Sequence, residues 1–141
     1  MVSRFHENGI AFLYPGNWTL EREEHDTGWI ATIQSPGTAF LSIALFQTDE
    51  LDIGVAVDES LKNLRSEYPD LEDEPAVESI AGQPAVGHDA RFFSLDLTNT
   101  AGMRAFRAEA GTVLILWQYT DHEAELAEPV VRAICASIEE T

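Results

Sequence analysis

Lysine and cysteine are almost missing from this chain. Lys62 is the only lysine, and with seven arginines it stands against 25 aspartates and glutamates, for a formal net charge of −17. A surface of that sign repels phosphate backbones and anionic lipid alike, which excludes nucleic acid and the membrane surface as partners. A charge this large chiefly serves solubility, and the alternative is recognition of a basic protein partner. The single cysteine, Cys135, rules out an internal disulfide and a cysteine metal cluster. It falls with Val131, Ile134 and Ile138 on one side of a helical stretch, where a thiol serves as a small hydrophobe.

Long apolar runs are missing as well. Hydrophobic residues make up 45% of the sequence, yet none of their runs approaches the ~20 residues that cross a bilayer. The opening MVSRFHENGIAF has one arginine and no apolar segment of the kind a secretory signal carries, so a cytoplasmic location is expected. Catalytic spacing is lacking too. His6, His25, His88 and His122 are far apart, none at HxH or HxxxH spacing, and there is neither a GxSxG elbow nor a glycine-rich phosphate loop. His88 and Asp89 are adjacent on a strand and point to opposite faces. His88 shares its face with Ser94 and Asp96, where an ordinary strand histidine is expected. No catalytic, cofactor-binding or metal-ligating residue is assigned, and an enzyme is not expected.

What the sequence does have is a run of short apolar segments with clear turn residues between them. Residues 4–7 and 10–14 flank Asn8-Gly9, a strong hairpin signal. Strands follow at 18–23, 29–34 and 39–46, separated by His25-Asp26-Thr27-Gly28 and Ser35-Pro36-Gly37-Thr38. The period then changes. Leu51, Val55, Asp58, Leu61, Leu64, Arg65 and Tyr68 recur at spacings of three and four, which predicts a helix over 49–67, capped by Thr48 or Asp49 and ended by Tyr68-Pro69.

Residues 69–78 contain five acids in ten. The run lacks the central glycine and alternating oxygen ligands of a helix-loop-helix calcium site, so tight calcium binding is not expected. It reads as a charged edge strand or a linker, and Glu72, Asp73 and Glu74 are its candidate partner contact.

A three-stranded meander occupies residues 80–119. Its strands are predicted at 85–97, 103–109 and 112–119, with Asn99-Thr100-Ala101-Gly102 turning between the first two. Val113-Leu114-Ile115-Leu116-Trp117 is apolar at every position, which predicts a central strand covered on both faces. A second helix lies within 124–138. Either it begins at 124 and kinks at Pro129, or it begins near Glu128 with Pro129 in its first position; the second costs less.

These elements predict an α+β fold of one domain, residues 1–141, with a single antiparallel sheet flanked by a helix on each face. Leu41, Ile43, Leu61, Leu64, Phe106, Leu114, Leu116, Val131 and Ile134 are the expected core.

The opening NGIAFLYPGNWTLE resembles the start of PsbP-like and DcrB-like domains. Ile80-Ala81-Gly82-Gln83-Pro84-Ala85 is similar to the turn before their long strand, and residues 132–138 resemble their closing helix. The resemblance implies an α/β/α sandwich. Proteins of this fold include a subunit of the oxygen-evolving apparatus, a Ran-GTPase-binding protein, bacterial lipoproteins and cytoplasmic chaperones of secreted effectors, and the implied roles are non-catalytic. The expectation is a protein-binding or adaptor domain, monomeric or dimeric, that uses no cofactor. A chaperone for an apolar segment is the alternative, and an enzyme assembled from scattered polar residues is the third reading.

Overall fold

The period-two segments pair antiparallel, mostly as hairpins between neighbours along the chain. The computed structural model describes residues 1–141. It holds β1 (Val2–Glu7), β2 (Ile10–Pro15), β3 (Thr19–His25), β4 (Gly28–Gln34), β5 (Phe40–Phe46), α1 (Ile53–Glu67), β6 (Glu72–Ile80), β7 (Gln83–Ser94), β8 (Leu97–Arg107), β9 (Thr112–Thr120), α2 (Ala124–Ser137) and β10 (Glu139–Glu140). Seven strands form one antiparallel sheet in the order β3-β4-β5-β9-β8-β7-β6. The single-sheet expectation is corrected by a second sheet, β1-β2-β10. Its third strand is two residues long, Glu139 and Glu140 against Ala11 and Ile10, too short to leave an alternation in the sequence.

Strand β9 is central, and its two faces meet different partners. Val113, Ile115, Trp117 and Tyr119 join a buried cluster with Ile10 and Phe12 of β2 and with Val131, Ile134 and Cys135 of α2. Leu114 and Leu116 on the other face are only partly buried, packed with Ala56 and Val57 of α1 and with Met103 and Ala105. Of the expected core, Leu41, Ile43, Phe106, Val131 and Ile134 are buried. Leu61 and Leu64 of α1 and Leu114 and Leu116 beneath it are half-buried, because a single helix covers this face incompletely.

Three boundaries differ from the sequence reading, each for a tertiary reason. Helix α1 starts at Ile53 and is capped by Asp52, whose carboxylate accepts from the amides of Gly54 (3.0 Å) and Val55 (3.3 Å). Asp49 is instead bound to Arg107 at 2.7 Å. Helix α2 starts at Ala124 with Pro129 inside it. The Glu125 carbonyl that loses its donor lies on an exposed turn where water can reach it, and Ala127 is already buried in the core.

The meander turns at Leu95-Asp96, not at 99–102. Both residues have positive φ, 52° and 63°, and Ser94 pairs with Leu97 across the turn. Gly102, read as a turn residue, lies within β8 and serves packing. A Cβ placed there would stand 2.1 Å from Cζ2 of Trp117, so the indole lies flat over a residue that must have no side chain.

Candidate functional site

The β6–β7 hairpin sets the site. Ala81 and Gly82 take φ of 54° and 75°, the left-handed pair that a two-residue hairpin turn requires, and the resulting register places Glu72 opposite Arg91 and Glu74 opposite Asp89. Alternation then turns Glu72, Glu74 and Glu78 to the face that also carries Asp89, Arg91, Thr100, Arg104, Trp117 and Tyr119. Helix α2 covers this face over β9. Where its cover stops, Glu128, Val131 and Arg132 form the wall of a cleft of about 420 Å³.

Arg104 lies beneath this cleft and is 2% exposed. Its guanidinium crosses β7 at Gly87 to donate to Glu78 (2.7 Å) and Asp89 (2.8 Å), and to the carbonyls of His88 (3.0 Å) and Met103 (2.9 Å). A buried guanidinium is tolerated only when paired and hydrogen-bonded in this way. It also sits 4.9 Å from the centroid of Trp117, and Arg132 approaches the same ring at 5.8 Å. Arg132 donates to Glu78 as well, at 3.4 Å. Thr100 bonds Asp121 at 2.5 Å. Burial pushes the Tyr119 hydroxyl's pKa above its ordinary value, and the charges of Glu128 and Asp121 push it further.

Alternation divides the acidic trio expected to meet a partner. Glu72 and Glu74 share the cleft face, while the Asp73 carboxylate is held from Arg65 at 2.6 Å. On that opposite face His88 places Nδ1 3.1 Å from Asp73 Oδ2, without the alignment of a hydrogen bond, and Nε2 3.8 Å from Asp58. Ser94 and Asp96 do not bond it: Ser94 ends β7 and Asp96 is in the hairpin turn. Thus the sequence reading missed both carboxylates beside His88. Asp89, Arg91, Tyr119, Glu128 and Arg132 were also missed as cleft residues. Glu128 and Arg132 stand at helical i,i+4 spacing, the only one of these juxtapositions visible along the chain.

Three other features lie outside this cleft. An apolar groove of about 390 Å³ runs between α2 and the β1–β2 hairpin, lined by Leu13, Pro129, Val130, Ala133 and Ile134 among others. Burial holds the Cys135 thiol at a pKa of about 12, which leaves it protonated and unreactive. At the foot of α2, the hydroxyl and amide of Thr38 donate to Glu123 and hold its carboxyl below the usual carboxylate range.

No family model matches the chain, and no curated protein does. Solved structures do. The chain is similar to cyanobacterial PsbP (CyanoP) from Synechocystis sp. PCC 6803, with a TM-score of 0.69 at 10% identity, over 99% of this chain and 92% of that one. LpqN, involved in cell envelope biogenesis of Mycobacterium tuberculosis, gives 0.58 at 14%, over 99% and 91%. PA94 from Pseudomonas aeruginosa, a protein of unknown function, gives 0.57 at 13%, over 93% and 91%. The fold is PsbP-like and DcrB-like, as the opening motif implied. At these identities the likeness is one of fold alone.

Proposed function

We propose that residues 1–141 form one non-catalytic protein-binding domain that engages a basic partner along β6 and the cleft beside it. One observation carries this reading. Glu72 and Glu74 stand exposed and free of ion pairs on an edge strand, at the mouth of a cleft where four carboxylates, Glu72, Glu74, Asp89 and Glu128, face the guanidinium groups of Arg91 and Arg132. Free surface carboxylates steer a cationic partner and add little to folding, so their use is in encounter. Pro75 within β6 argues against strand addition at this edge, since it can offer a partner no amide.

Capture from a native extract tests the reading. Proteins retained by the wild type should elute as salt rises and be lost by the Glu72→Gln, Glu74→Gln double variant. An unchanged set of retained proteins overturns the acidic edge as the contact. Turnover in a substrate screen that vanishes on replacing His88, with the fold intact, overturns the non-catalytic assignment.

The apolar groove favours a second reading, a chaperone for an apolar segment of another protein. Its lining is largely hydrophobic and Leu13 is 44% exposed. An apolar peptide that binds the wild type and not Leu13→Asp supports it.

A further inference from the structure

We infer that the cleft between β6 and α2 is a socket for one guanidinium or primary ammonium group, with the Tyr119 hydroxyl accepting its hydrogen bond and Glu72, Glu74 and Glu128 supplying the opposite charge. This rests on the basic-partner reading above and names the group that the partner inserts.

Tyr119 carries the inference. The residue is 5% exposed, it lines the cleft, and its hydroxyl makes no hydrogen bond to any protein group. The ring is buried while the hydroxyl reaches the solvent of the cleft, whereas a buried tyrosine normally gives its hydroxyl a protein partner. A hydroxyl left open on a cleft is therefore a place prepared for a donor or acceptor from outside.

The charge inventory decides which. Asp89 is committed to Arg104 and Asp73 to Arg65, leaving Glu72, Glu74 and Glu128 without ion pairs. Arg132 is committed to Glu78, so Arg91 is the one uncommitted cation. Three free carboxylates against one free guanidinium select a cation and reject an anion. The site already stabilises such groups: the Trp117 indole bears the guanidinium of Arg104 on its face and that of Arg132 nearby. With that ring occupied, an incoming cation belongs one pair of residues along β9, at Tyr119. The cleft's 420 Å³ suits an amino-acid side chain or a small amine, at the low end of the ~300–1,000 Å³ typical of ligand sites.

Titration followed by NMR, with the Trp117 and Tyr119 ring signals as reporters, tests this with four probes: acetyl-arginine amide, the uncharged acetyl-citrulline amide, spermidine, and a short arginine-containing basic peptide. The arginine probe should shift both rings and saturate, and the citrulline probe should do neither. Tyr119→Phe, which keeps the ring and its packing, should weaken the arginine probe about tenfold, the scale of one hydrogen bond to a charged group. Glu128→Gln should weaken it similarly. Stronger binding of the peptide than of spermidine assigns the group to a protein side chain, and the reverse order to a free polyamine; either supports the socket.

Equal binding of citrulline and arginine overturns it. So does basic-peptide binding that Glu72→Gln and Glu74→Gln weaken while Tyr119→Phe does not, a result that leaves the acidic-edge reading standing. Failure of both the arginine probe and the peptide at low salt overturns both.

Discussion

On the α2 side of the seven-stranded sheet, Trp29, Ile43, Phe106 and Ile115 are sealed from solvent within a cluster of 23 buried residues. On the α1 side the same strands contribute to two clusters of four. The apolar character of the strands is similar on both faces: in β9 leucine alternates with valine, isoleucine and tryptophan. What differs is the cover. One face receives α2 and the small sheet, with Ile10 and Phe12 inserted, and the other receives α1, which buries only Ala56 and Val57 of its own residues. Hydrophobic stabilisation scales with area removed from water, so equal sequence hydrophobicity yields unequal stability. The cleft between β6 and α2 opens at the margin of the well-covered face. There the cover of α2 stops, and the strand ends meet solvent.

The largest effect expected from this comparison is on Ile115→Ala, which should cost about 3–5 kcal/mol in denaturant unfolding, against roughly 1–2 for Leu114→Ala one residue away. Equal losses would show that α1 covers its face as completely as α2 does. Gly102→Ala drives a methyl into the Trp117 indole and should cost about 1–3 kcal/mol. The indole's fluorescence should change as well, and a neutral result would mean that the ring has room to move.

Cys135 sharpens the comparison through pH. Its folded pKa is raised from 9.0 to about 12, first by burial and then by Glu78, so the protonated thiol is favoured by the fold. That stability is fully present below pH 9 and is lost as pH rises toward 12, by up to about 1.4 kcal/mol per pH unit. Cys135→Ala should flatten this alkaline decline, and the native thiol should react with a thiol reagent only on unfolding. A decline unchanged by the substitution would assign it to other groups, Tyr119 first among them.

The smallest effect concerns the hairpin tip. Leu95 is 92% exposed with φ of 52°, a conformation costing an L-residue roughly 1–2 kcal/mol. Leu95→Gly should raise stability by about 0.5–1 kcal/mol in thermal unfolding, since glycine relieves the strain and loses little packing there. A loss of stability would reveal contacts that hold the tip.

That hairpin shows where sequence reasoning succeeds and where it fails. Asn99-Thr100-Ala101-Gly102 contains residues that favour positive φ, and Leu95-Asp96 has one that resists it, yet the chain turns at Leu95. Strand register decided the matter, because pairing Val86 with Ala105 packs both under α1, Ala105 fully and Val86 partly buried, and leaves Gly102 beneath Trp117. The cleft was legible only in fragments. Glu72 and Glu74 were visible as an acidic run, but Tyr119 read as the end of a strand and Arg104 as one charge among several.

By itself the sequence determined the order of strands and helices, the acidic edge strand and the two-sided burial of β9. Those follow from periods of two and 3.6 and from turn residues, which act between near neighbours along the chain. The tertiary structure alone decided the second sheet, the start of α2, the unequal depth of the two faces and the meeting of Glu72, Tyr119 and Glu128 in one cleft. Each depends on contacts between residues tens of positions apart, whose energies appear only once the strands are in register and the helices have docked.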